Sequence, residues 1–113
     1  MIAAAQLFAT TAFAQDEKPA WIDKSLASKA IHEECMALKT GDRLEYAFDA
    51  HDKLDFNIHY HLGDTVHFPV QSFGARHDEG AFVAAADQGY CLMWSNAGAE
   101  TVELRYRFLL RKR

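Results

Sequence analysis

The sequence predicts an all-β domain, an antiparallel β-sandwich with a short helix or linker in front of it. Three observations carry that prediction. Apolar residues alternate with polar ones at Leu44, Tyr46 and Phe48, at Phe56, Ile58, Tyr60 and Leu62, and at Val102, Leu104, Tyr106 and Phe108. This is the period of two that gives a strand one buried and one wet face. Turn-forming clusters separate the runs, at Thr40-Gly41-Asp42, Gly63-Asp64, Asp87-Gln88-Gly89 and Asn96-Ala97-Gly98. No segment carries a long helical pattern, and short, regularly spaced strands with turn signals between them read as a sandwich.

The 113 residues suffice for one domain with one core. Half are hydrophobic and a quarter charged, the balance of a soluble globular chain. A net charge of -4 argues against a nucleic-acid partner, and the basic end Arg111-Lys112-Arg113 reads as a solvated tail. Residues 1–14, MIAAAQLFATTAFA, hold no charged side chain and end in Ala12-Phe13-Ala14, with small residues where signal peptidase needs them. The polar stretch Gln15-Asp16-Glu17-Lys18-Pro19 follows as a mature N-terminus would. The expectation is a periplasmic or secreted chain cut after Ala14, with residues 15–30 as linker or short helix and residues 31–110 as the sandwich; the alternative for residues 1–14 is a native apolar helix packed on the domain. A spanning helix needs about 20 apolar residues, so no transmembrane anchor is expected in the mature chain. Export makes Cys35 and Cys91 informative, because an oxidising compartment favours their pairing over two buried free thiols. Closing that loop is worth about 4 kcal/mol in the chain-entropy picture.

In chain order, residues 16–29 suggest a short helix with Trp21, Ile22 and Leu26 on one side and Trp21 as the docked anchor. Residues 31–39 fit either state: Ile31, Cys35 and Leu38 suit a helix, whereas Glu34, Met36 and Leu38 alternate as a strand. Leu44, Tyr46 and Phe48 then make a half-buried strand, and His51-Asp52-Lys53 connects it to a hairpin over residues 55–70. Pairing apolar with apolar matches Leu62 with Val66, Tyr60 with Phe68 and Ile58 with Val70 around a three-residue loop, Gly63-Asp64-Thr65. Pro69 has no amide hydrogen, which places its strand near an edge or a bulge. Residues 71–80, rich in glycine and charge, read as an exposed loop. Residues 81–86 are apolar without a clear period. Both faces of residues 90–94 are apolar, so that strand is expected to be central and covered on both sides. Residues 102–108 form the last strand.

The pattern GDRLEYAF, DFNIHYH, GAF, GYCLMWSN and VELRYRF resembles a GOLD domain, the β-sandwich of lumenal Golgi cargo receptors and of some lipid-transfer proteins. Gly41, Leu44, Tyr46, Phe48, Asp55, Phe56, Gly89, Tyr90, Trp94 and Asn96 stand at that family's motif places, and the resemblance covers residues 31–109. It implies a strand at residues 31–39 and a small stand-alone bacterial binding module. The cargo receptors also bridge their N-terminal strand to the Gly-x-Tyr strand with two cysteines. Cys35 fits the first place, while Cys91 lies two residues before the second, where Met93 stands. A shift of two keeps the side chain on the same face, so the resemblance implies the same bridge.

The most specific chemistry lies in the hairpin. Its expected register sets His61 opposite His67 with His59 beside them, three imidazoles on one outer face that suit Cu(II) or Zn(II). The same face, with Asn57, could instead be a docking surface made of Asn57, His59, His61 and His67. His51 and His77 fall in connecting segments, and His32 reads as a surface residue. No Ser/His/Asp set, glycine-rich phosphate loop or CxxC pair is present, and Asp78-Glu79 beside His77 reads as a charged loop rather than a general-base cluster. The expected function is therefore non-catalytic: an exported module that binds a protein or small ligand and needs no cofactor. Periplasmic copper or zinc binding through His59, His61 and His67 is the competing reading.

Overall fold

The computed structural model describes Phe13 and residues 18–113. The expected cleavage point after Ala14 lies outside the described residues. The described chain forms six strands and no helix: β1 (Ile22–Leu26), β2 (Ile31–Leu38), β3 (Arg43–Leu62), β4 (Thr65–Val83), β5 (Gln88–Ser95) and β6 (Val102–Arg111). All pairings are antiparallel. The fold class expected from the sequence holds, without the short helix. Residues 22–26 instead pair with β6, Ile22 opposite Tyr106 and Leu26 opposite Val102. Trp21 is docked just before them, with the Arg105 and Arg107 guanidinium groups 4.3 and 4.1 Å from its ring. Arg107 also lies 5.1 Å from the ring of Phe13, which packs on Ala47 beside Leu109.

Strands β3 and β4 are a single long hairpin that runs through both halves of a curled sheet. Arg43 to Ala50 of β3 pair with β6, and Asp55 to His59 pair with β5. One half therefore has the order β4, β3, β6, β1 and the other β4, β3, β5, β2. Between the Asp49–His77 and Leu54–Ala75 pairs, β3 advances five residues while β4 advances two, and this excess at His51-Asp52-Lys53 marks the change of partner. The expected exposed loop at residues 71–80 is thus strand. Its glycines and charges belong to an edge strand with a bulge at Gly74, whose φ is 64°, the left-handed region that favours glycine.

The two halves close over an aromatic core. Trp94 of β5 meets Phe56 at 5.3 Å, Phe48 at 6.0 Å and Tyr106 at 4.6 Å between ring centroids. Leu44, Leu54, Ile58, Leu92 and Leu104 complete it, each no more than 2% exposed. At the open side, the edge strand β2 reaches across to β6. The Tyr106 hydroxyl donates to Glu34 Oε2 and accepts from His32 Nε2 at 2.8 Å. His32, expected on the surface, stacks on Trp94 instead. Burial, reinforced by Glu34, pushes the Tyr106 hydroxyl well above the usual tyrosine range, so it remains a neutral donor. The buried Asn96 ties the far ends together, its Nδ2 donating to Leu26 O at 2.9 Å and Glu100 O at 2.7 Å.

Candidate functional site

Alternation along β3 sends Phe56, Ile58 and Tyr60 inward, so Asn57, His59 and His61 point to the outer face. That face is not simply wet. The register sets Glu33, Met93, Asn57 and Gln71 in one row and Cys35, Cys91 and His59 in the next. Hemmed in by these neighbours and by Phe68, whose ring centroid is 5.8 Å away, His59 is only 4% exposed, and Asn57 9%. The disulfide Cys35–Cys91 is present. Cys35 is exposed and Cys91 half-buried, so the outer side of β5 is only partly covered, against the expectation of a strand covered on both faces.

The geometry around His59 fixes its chemistry. Nδ1 lies 2.7 Å from Asn57 Oδ1, an oxygen that only accepts, so the ring donates from Nδ1. Nε2 faces Glu33 Oε2 at 3.3 Å. Burial holds the His59 pKa below the ordinary histidine value, with His61 adding to the effect and Glu33 opposing it. His59 Nε2 and a Glu33 carboxylate oxygen therefore face each other at 3.3 Å on the outer side of the sheet.

A pH dependence follows. The unfolded chain takes up this proton near pH 6.5, while the folded chain takes it up only at lower pH, so stability is full above that value and declines as pH falls below it. Urea unfolding midpoints measured at stepwise lower pH are expected to fall from pH 6.5 downward in the native chain. In His59→Gln that part of the slope should vanish, while the decline near pH 4 and below from carboxylates such as Asp49 remains; burial raises the Asp49 pKa, but hydrogen bonds from His77 and Arg105 outweigh it and hold the carboxyl below its ordinary value. An unchanged slope in the variant would assign the effect to another group.

The expected histidine trio is not assembled. The hairpin turns on two residues rather than three, with Leu62 opposite Thr65, His61 opposite Val66 and Tyr60 opposite His67. Gly63 has a φ of 61°, which suits the first central position of a tight hairpin turn. An extra β4 residue between His67 and Val70 then restores the expected Ile58–Val70 pair. A slip of one residue exchanges the faces of a strand. His67 accordingly lies on the inner side, stacked on Tyr60 at 5.0 Å with planes 12° apart, and Phe68 takes the outer place. Neither the proposed metal set His59, His61 and His67 nor the docking face Asn57, His59, His61 and His67 survives with His67 in it. The sequence reading also missed Glu33. The signal for it was the two-residue spacing to Cys35, which puts both on one face of β2.

His51 and His77 lie in the other half of the sheet. His77 Nδ1 is 2.7 Å from Asp49 Oδ1, and His51 Nδ1 accepts from the Glu103 amide at 2.9 Å. A cavity of 280 Å³ lined by Asp23, Asp49, His51, Glu103 and Arg105 opens there. Its charged groups hold one another: Arg105 Nη2 donates to Asp49 Oδ2 at 3.2 Å and Ser25 Oγ to Glu103 Oε1 at 2.5 Å. Asp78 and Glu79 do not join His77 in a base cluster, since Asp78 turns inward to accept from Ser72 Oγ at 2.9 Å.

No family model matches the chain, and no curated protein matches it. Solved structures do. The Yersinia pseudotuberculosis-derived mitogen is similar with a TM-score of 0.55 at 10% identity, over 83% of this chain and 85% of that one. A de novo designed double-stranded β-helix has a TM-score of 0.48 at 14% identity, over 80% of this chain and 100% of that one. PliG of Aeromonas hydrophila, a periplasmic inhibitor of g-type lysozyme, has a TM-score of 0.48 at 16% identity, over 86% of this chain and 91% of that one. At 10% identity the likeness to the mitogen is one of fold alone: the chain is an all-β, antiparallel, sandwich-like domain. Among the described residues no helix is long and apolar enough to cross a membrane.

Proposed function

We propose that this chain is a non-catalytic exported binding module that docks a protein partner on the outer face of its β4, β3, β5, β2 half. One observation carries the reading: β4 leaves large apolar side chains in water, Val66 at 38%, Phe68 at 45% and Phe73 at 74% exposure. Such groups are costly to leave uncovered. Exposed His61 stands opposite Val66, and Ile31, 60% exposed, lies at the far edge of the same half. The bulges in β4 and Pro69 interrupt its free edge, which disfavours strand addition. Recognition would then run through side chains, the aromatic anchors first.

The charge-free run of residues 1–14 and the disulfide support export to a periplasm or to the medium. The resemblance to GOLD domains supports a binding role at the level of motif. The test is a pull-down from periplasmic or culture extract with immobilised native chain and with Phe68→Asp/Phe73→Asp. The variant is expected to keep its stability within about 0.5 kcal/mol, as exposed positions do, and to lose at least nine-tenths of any specifically retained protein. Retention of the same protein to the same extent by both chains would sink this choice of surface.

A further inference from the structure

We propose that reduction of the Cys35–Cys91 disulfide opens a zinc-type metal site formed by Cys35 Sγ, Cys91 Sγ, His59 Nε2 and Glu33 Oε2. The inference goes beyond the docking reading and stands without it. Its first support is proximity. A carboxylate oxygen of Glu33, a ring nitrogen of His59 and Cys91 Sγ all lie within 4.8 Å of one another, and Cys35 Sγ is bonded to the last of these. Two thiolates, an imidazole and a carboxylate are ligands that tetrahedral Zn(II) takes together. With bonds of about 2.0–2.1 Å to nitrogen and oxygen, a tetrahedral ion sets those two atoms about 3.4 Å apart. The observed His59 Nε2 to Glu33 Oε2 separation is 3.3 Å.

The second support is the state of His59. Its side chain is 5% exposed, and its Nδ1 proton is committed to Asn57 Oδ1. That is the outer hydrogen bond that orients a metal-binding histidine and fixes its tautomer. A nitrogen of the buried His59 ring and an oxygen of the exposed Glu33 are left facing one point, where a cation satisfies both. In the oxidised chain the sulfurs are spent on each other and offer no thiolate.

The conversion balances as a thiol–disulfide exchange with a dithiol reductant. A reductant thiolate attacks the exposed Cys35 sulfur, the S–S bond breaks, and the electron pair leaves on Cys91. The second reductant thiol resolves the mixed disulfide, so the reductant ends as a disulfide and the protein as two thiols. Zn(II) then displaces the two thiol protons to solvent. β2 is an edge strand bonded only to β5, which leaves the bridge open to attack from outside.

The experiment uses Co(II) as the spectroscopic probe and Zn(II) as competitor, on the native chain oxidised and after phosphine reduction with the reductant removed under inert gas. The reduced chain is expected to bind one equivalent of Co(II) with thiolate charge-transfer and tetrahedral d–d bands, displaced by Zn(II), while its β-sheet circular dichroism persists. The oxidised chain should show neither band. His59→Ala and Glu33→Gln, reduced in the same way, should each bind at least tenfold more weakly. Equal binding by the oxidised chain overturns the proposal, as does no binding by the reduced one. Binding by a reduced chain that has lost its sheet signal, with the same affinity in His59→Ala, also overturns it, because free thiols of an unfolded chain would then be the ligands.

Discussion

Replacing Trp94 with alanine is expected to cost about 3–5 kcal/mol, the range for removing a large buried aromatic. Trp94 is 1% exposed and is the meeting point of both halves of the sheet, touching Phe56 from β3, Tyr106 from β6 and His32 from β2. The hole left by alanine has stiff aromatic walls that cannot collapse into it, so the loss should fall in the upper part of that range. Trp94→Phe provides the contrast. The indole Nε1 is buried with no hydrogen-bond partner among the described residues, and phenylalanine removes that unsatisfied donor while keeping much of the volume. Chemical unfolding should therefore show less than half the alanine loss for phenylalanine. Equal losses would mean that the indole proton is in fact satisfied, and that its bond rather than its bulk is what counts.

The second large effect concerns the bridge. Cys35→Ser/Cys91→Ser should lose about 4 kcal/mol, because residues 56 apart in sequence are no longer tied in the unfolded chain. For a domain of this size that corresponds to a fall in Tm of roughly 15–30 °C, read by thermal circular dichroism at neutral pH. Reduction of the native chain should reproduce most of the shift. Both forms are expected to remain folded at room temperature, since β2 keeps its register with β5 from Ile31–Ser95 to Leu38–Gln88 without the bridge. A loss below about 1 kcal/mol would show that the unfolded chain is already compact enough for the bridge to restrain little.

Much of the fold was legible because strand alternation is local. Leu44, Tyr46 and Phe48, then Tyr90, Leu92 and Trp94, then Val102, Leu104 and Tyr106 declare their inner face by a period of two, and all nine are buried. The pairing of Cys35 with Cys91 was legible as well, from the cysteine count, the expectation of export and the resemblance. Residues 71–80 failed for a physical reason: an edge strand needs partners on one side only, so it tolerates the glycines, charges and bulges that normally mark a loop. Residues 22–26 failed because five residues are too few for either period to show, and their strand state is imposed by β6.

The site was less legible than the fold. The sequence placed His59 and His61 on one face, as two residues apart on a strand must be. It could not place His67, since a single bulge residue on β4 moved that imidazole to the other side of the sheet. Nor could it bring Glu33 to His59, because that contact needs β2 and β3 to flank β5, an order decided by how the whole sheet curls. Alternation, turns and cysteine count are properties of the chain alone, and they determined an all-β, disulfide-bridged domain. Register, strand order and the burial of His59 depend on which distant segments share the core, and only the tertiary structure decided them.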